Sequence, residues 1–316
     1  MKKHLSLGIV ISIVGISFVG MQQAGAADIS AAVPKAATVP FFYFADTQVS
    51  LRYEFNGREP GVGPYPDGYR VPKKILGITH FDVWKYGTNY ALLDILKSTD
   101  ADPPARSATF DGEGALQFYT RYRGTLSGNA MSGGKAFGAG GVVKDLSLGY
   151  GFDWEHKDTA YGSRTKDLVI GPNISFNVPG VFTAQANVYK EWNHCGLQPY
   201  CTAKINYRAS PEIEFVYMHP LDFLGLPLRF EGFTYVIAPR GKNGFGYETA
   251  TEMLSSNRLV LDLGKLFGGK AGVVDGFVGY KYWFNKFGYD HNNKADPGAS
   301  GAIERTFYLG VAAHVF

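Results

Sequence analysis

The chain has 316 residues, 45% of them apolar and 19% charged, with 40 glycines and an aromatic share of 15%. A helical cytoplasmic enzyme would lean instead on Ala, Leu, Glu and Lys, and a mean hydropathy of −0.10 excludes a bundle of transmembrane helices. The formal charge is +3, and removing residues 1–26 would take Lys2 and Lys3 with no acid and leave +1, so nothing electrostatic points to nucleic acid as a partner.

Residues 1–26 open with Lys2 and Lys3, run through an apolar core from Leu5 to Val19 and end in Ala24-Gly25-Ala26, the small-x-small pattern before a cleavage site. The core is shorter than the roughly 20 residues a membrane span needs, so a cleaved signal peptide is expected. No later stretch approaches a spanning helix. The exported chain is then periplasmic, secreted or an outer-membrane barrel. Residues 27–46 form an N-terminal segment holding Phe41, Phe42, Tyr43 and Phe44. These rings, Phe42 and Phe44 among them, could fold inward at the end of such a barrel or form a girdle at the membrane edge.

From residue 47 onward, alternation with period 2 separates the three possibilities. Val49, Leu51, Tyr53 and Phe55 oppose Gln48, Ser50, Arg52 and Glu54; Leu146, Leu148, Tyr150, Phe152 and Trp154 oppose Asp145, Ser147, Asp153 and Glu155. A soluble antiparallel sandwich also alternates. Here, however, the strands run about nine to twelve residues against a usual five or six. Their ends carry Tyr, Phe and Trp, and their polar faces hold both charge signs at mid-height, as a girdled barrel with a wet interior requires.

The expected fold is all-β, a transmembrane antiparallel up-and-down barrel over residues 47–316. Strands are expected near 47–55, 74–85, 89–98, 114–123, 142–153, 167–177, 181–192, 203–218, 228–238, 252–264, 273–285 and 304–316. That is about twelve, an even number that returns both termini to one side. Long polar loops and short turns alternate between them, except at the Gly-rich stretch 124–141. Pro172 and Pro211 fall inside strands of a barrel with no free edge, so bulges or different strand bounds are expected there. The chain ends on Phe316 after alternating apolar positions. This resembles the assembly signal of outer-membrane barrels and implies the barrel-assembly machinery as a partner.

Cys195 and Cys201 flank a short loop. An oxidising compartment favours a disulfide; the alternative is a metal site with His194, which lacks further ligands nearby. No HExxH, GxSxG, P-loop or GxGxxG pattern occurs, and neither a cofactor nor a metal is expected. His80 and Asp82 share a strand face and could cooperate, but alternation makes such neighbours common. The expected role is not enzymatic.

The segment Thr79-His80-Phe81-Asp82-Val83-Trp84-Lys85-Tyr86-Gly87-Thr88-Asn89-Tyr90, with Asp94 after it, resembles the nucleoside-specific outer-membrane channel family (Tsx-like) in its WKYG-x-N turn. Leu51-Arg52-Tyr53 fits the family's first strand, and Val178-Pro179-Gly180 with Asn187-Val188-Tyr189 its central hairpin. The chain departs from the family at Tyr90-Ala91-Leu92-Leu93, where several Phe would stand, and in its Cys195–Cys201 loop.

The resemblance implies a narrow, monomeric barrel that passes nucleosides and deoxynucleosides down their gradient. Alternation offers Arg52, Glu54, Asp82, Asp94, Tyr119, Arg121, Arg229, Glu231, Phe233, Tyr235, Arg258 and Asp262 as inward residues. Aromatics would stack the base, and charged groups would hold ribose hydroxyls. Membrane lipid and lipopolysaccharide would surround the barrel. The alternatives are a general or other small-solute porin, and a structural barrel whose loops dock bacteriophage.

Overall fold

The computed structural model describes residues 41–102, 114–134, 141–158, 162–195 and 199–315. The expected signal peptide and the Phe316 signal lie outside the described residues. The strands are β1 (Phe42–Glu54), β2 (Lys73–Trp84), β3 (Gly87–Ser98), β4 (Leu116–Ser127), β5 (Val143–Lys157), β6 (Arg164–Phe176), β7 (Val181–His194), β8 (Lys204–Asn206), β9 (Ser210–Pro220), β10 (Leu228–Ile237), β11 (Glu252–Asp262), β12 (Val274–Phe284) and β13 (Glu304–Val315). Each pairs antiparallel with its neighbour, β13 pairs back onto β1, and β6 with β7 closes the ring. Because β8 and β9 lie end to end along β7, the strands fill twelve positions of a closed barrel.

β1 begins at Phe42, earlier than the expected residue 47, because the end of β2 reaches Trp84 and offers partners as far as Phe42. A bulge between Phe42 and Phe44 marks the joint. Both prolines are accommodated by interruptions of the ladder. The β6–β7 ladder skips from Ile170–Val188 to Asn173–Gln185 at Pro172. Gly171 beside it is required by close approach, since a Cβ there would stand 1.9 Å from the Ala186 carbonyl oxygen. The register against β7 steps by one residue between β8 and β9, a bulge just ahead of Pro211.

The barrel is inverted relative to a water-soluble fold. Outward positions carry Leu51, Leu168, Ile170 and Leu309, which are half or more exposed, while Glu304 is 0% exposed and Glu54, Lys73, Asp94 and Glu214 are buried inside. Apolar patches of this extent need an apolar surrounding, and a closed barrel satisfies every backbone group without water. The termini of the barrel and the short turns after β2, β6 and β9 share one end. The loops 55–72, 238–251 and 285–303 share the other. At the short-turn end the rings of Phe42, Phe41, Trp84 and Tyr86 follow one another at centroid distances of 4.9, 5.5 and 5.3 Å, as an interfacial girdle does.

Candidate functional site: the barrel interior

Inward side chains meet at three levels. At the short-turn end, the His314 imidazole stands 3.0 Å from both Asp46 and Asp275. Asp275 accepts from Arg229 at 2.6 Å, Arg229 also bonds Glu231 at 2.8 Å, and Arg258 Nε donates to Glu231 at 2.6 Å. The structure thus brings Arg229, Glu231 and Arg258 into one chain across β10 and β11.

At mid-height, Arg52 pairs with Asp94. Beside them Arg121 donates to Asp153 at 2.7 Å and lies 5.9, 5.1 and 5.5 Å from the ring centres of Tyr119, Phe233 and Tyr235. Phe233 and Tyr235 are stacked at 6.3 Å, and the Tyr119 hydroxyl donates to Asp153 at 2.8 Å. Arg123 pairs with Asp153 at 2.6 Å and, like Arg121, reaches Glu214, at 3.2 and 3.6 Å. β4 and β9 are separated in the ring by β5, β6 and β7, so these arginines span the interior as a chord. One carboxylate oxygen is left unpartnered here: Asp94 Oδ1 is buried with no hydrogen-bond partner.

At the long-loop end, three loops contribute inward side chains. Glu59, in loop 55–72, pairs with Lys73, with Lys157 at 3.1 Å and with Lys286 of loop 285–303 at 3.3 Å. Lys286 also reaches Glu304 at 2.9 Å, and Lys281 ties Glu304 to Glu54 at 2.7 and 2.9 Å. Burial by itself would raise the Glu59 carboxyl; Lys157, Lys286 and Lys73 outweigh it and hold the group well below the usual carboxylate range. In loop 238–251, Arg240 is 1% exposed and held by Glu191 at 2.7 Å and Glu252 at 2.9 Å.

Two sequence expectations are corrected. Asp82 faces outward: Gly77 pairs with the inward Asp94, and the unbroken register then turns Asp82 the other way. Phe42 also faces outward, opposite Trp84 in the girdle, whereas Phe44 falls on the inward side at the rim, 6.1 Å from Phe81. Arg123 shares the face of Tyr119 and Arg121, so the same alternation already contained it. Glu59, Lys286 and Arg240 lie in loops, where no periodicity signals them.

The outward Asp82 belongs to a polar chain on the wall. Thr47 Oγ1 lies 2.8 Å from His80, His80 lies 3.4 Å from Asp82, Asn89 donates to Asp82 at 2.9 Å, and the Tyr122 hydroxyl donates to Asn89 at 2.7 Å. Asp82 is 5% exposed, so on a lipid-facing wall its charge is satisfied only by these groups, and the chain stitches β1 to β4. Asp82→Ala is expected to lower barrel stability by about 1–3 kcal/mol through the unpaired Asn89 and His80. Urea unfolding in detergent micelles measures the loss, and an unchanged midpoint would contradict the stitch. Conductance of the folded variant should stay at the wild-type value.

Cys195 and Cys201 are bonded to each other, with Cα atoms 6.2 Å apart, so neither serves a metal with His194. Among the described residues no three His, Cys, Asp or Glu side chains are grouped to hold a metal ion.

No family model matches the chain, and no curated protein does. Solved structures do. The translocator domain of the autotransporter NalP from Neisseria meningitidis is 12% identical, with a TM-score of 0.37 over 85% of this chain and 88% of its own. The KdgM porin is 9% identical, with a TM-score of 0.38 over 85% and 99%. OccK5 of Pseudomonas aeruginosa is 8% identical, with a TM-score of 0.29 over 88% and 100%.

Proposed function

We propose that the protein is a narrow outer-membrane channel for passive diffusion of small polar solutes, and that nucleosides are the solutes it selects. The observation that carries this reading is the mid-height arrangement. The stacked Phe233–Tyr235 pair and Tyr119 surround Arg121, and the unpartnered Asp94 oxygen belongs to the same level. Flat rings suit a base, at about 1–3 kcal/mol per stacked base, and an unpaired buried carboxylate oxygen suits a hydroxyl donor. The chord from Arg121 and Arg123 to Glu214 favours a selective path over a wide general pore, because a solute must pass beside fixed charges of both signs. The resemblance of the WKYG turn supports the same solute class. The long loops face the exterior, the girdle of Phe42 and Trp84 lies at the periplasmic interface, and the barrel works as a monomer without chemical catalysis.

Planar-bilayer recording with adenosine, thymidine and sucrose tests the proposal. Either nucleoside should reduce single-channel current saturably at roughly sub-millimolar to millimolar concentration, since a conducting site must release its solute. Sucrose should not. Equal block by sucrose would turn the reading into a general small-solute porin. No current at all would leave a structural or phage-docking barrel.

A further inference from the structure

Outward positions on the strands have an uneven charge. Toward the long-loop end they carry Lys74, Lys97, Arg164, Lys166, Lys204 and Arg305, all exposed. Among the described strands the one outward acid is Asp82, near the opposite end. Two of these cations stand together. Lys74 and Lys97 are directly opposed in the β2–β3 register, where Cβ atoms are about 4.5–5.5 Å apart and like charges destabilise the pair. Lys97 Nζ donates to the Gly114 carbonyl at 3.0 Å, and neither lysine has a carboxylate partner among the described residues. Among the described residues no carboxylate relieves the repulsion.

Register also fixes what surrounds the pair. One outward row reads Leu309, Tyr53, Lys74, Lys97 across β13, β1, β2 and β3, and the next row toward the short-turn end reads Val311, Leu51, Leu76, Ile95. Together these rows line a groove of about 600 Å³ on the outer wall. Cations at its upper edge and aliphatic side chains below match a lipid with phosphates above several acyl chains.

We propose that this groove is a binding site for lipopolysaccharide, with the Lys74–Lys97 pair on its lipid phosphates and Leu51, Leu76, Leu309 and Val311 against its acyl chains. A phosphate between the two ammonium groups turns their repulsion into two charge-assisted hydrogen bonds. A phosphorylated lipid on one side of the bilayer also accounts for basic outward residues gathered at that end. The proposal rests on the outer-membrane orientation given above, with the long loops outside.

Mass spectrometry of the intact protein extracted in mild detergent, with added lipopolysaccharide, tests it. Wild type and Lys144→Gln, an outward lysine near the short-turn end, should retain the lipid equally. Lys74→Gln with Lys97→Gln should lower its affinity about twenty-fivefold, a factor of about five for each lysine. Phosphatidylglycerol at equal phosphate concentration should not displace it. Retention by the double variant at wild-type affinity, or equal displacement by phosphatidylglycerol, would overturn the site. Adenosine block of the double variant should match wild type, so failure here is separable from failure of the channel reading. Proteolysis of intact cells within residues 285–303 reports the orientation independently.

Discussion

Lys286→Met is expected to raise single-channel conductance severalfold while leaving the barrel folded. Lys286 is 2% exposed and joins three parts of the molecule: the Arg58 carbonyl at 2.6 Å, Glu59 at 3.3 Å and Glu304 at 2.9 Å. Removing one partner of a buried ion pair costs about 3–5 kcal/mol, because the remaining charges stay buried and uncompensated. Here the carboxylates that lose one cation are Glu59, which keeps Lys73 and Lys157 and sits on a loop that can leave, and Glu304, which keeps Lys281 and sits on a strand that cannot. The relief is therefore outward movement of loop 55–72, while the strand ladder holds the barrel. Lys286→Arg should conduct as wild type does, and an unchanged current through Lys286→Met would mean the loops do not limit flow. The same latch has an acid limit. The Glu59 carboxyl is depressed in the folded state, so its contribution is complete above the unfolded value of about 4.3. It is lost only as pH falls through the lower folded value. Release of loop 55–72 through Glu59 should therefore begin only below the ordinary carboxylate range, with no contribution from Glu59 between about pH 7 and 5.

Much of this architecture was legible because a barrel in lipid has opposite solvents on its two faces, and alternation is the direct consequence. Every expected strand is present, and the bulge ahead of Pro211 falls where a proline in a closed ladder required one. Asp82 shows where the logic fails. Polarity is a guide to the inward side only where outward positions are apolar, and the Thr47–His80–Asp82–Asn89–Tyr122 chain breaks that condition by satisfying its own polar groups. The cross-strand pairing of Gly77 with Asp94 decides the orientation, and pairing is not visible in one strand. The Glu59–Lys286 latch was illegible for a different reason. It joins residues 227 apart in the chain, across loops whose inward course depends on the closed barrel already existing.

Asp94→Ala is expected to weaken adenosine block by about tenfold, the effect of about 1.4 kcal/mol. A hydrogen bond to a charged group supplies about that much or somewhat more. Asp94 offers it because its two oxygens differ. Oδ2 is taken by Arg52, whereas Oδ1 is unpartnered. The position opposite is Gly77, where even a Cβ would come within 3.0 Å of Oδ1, so a side chain there would crowd the unpartnered oxygen. A ribose hydroxyl that reaches it as neighbouring side chains shift displaces no protein hydrogen-bond partner. The truncation has a second consequence, since Arg52 loses its counter-charge and ion selectivity should move toward anions, as it should move toward cations in Arg121→Ala. Selectivity changes alone would also follow from a purely structural ion pair, so the deciding comparison is 2′,3′-dideoxyadenosine, which keeps the base and lacks both ring hydroxyls. It should block wild type more weakly than adenosine does and block Asp94→Ala to the same degree as wild type. If the variant loses block by both ligands equally, Asp94 acts by shaping the interior and the hydroxyl contact is wrong. If it loses neither, the solute passes elsewhere and the stacked rings of Phe233 and Tyr235 are left without a companion for the sugar.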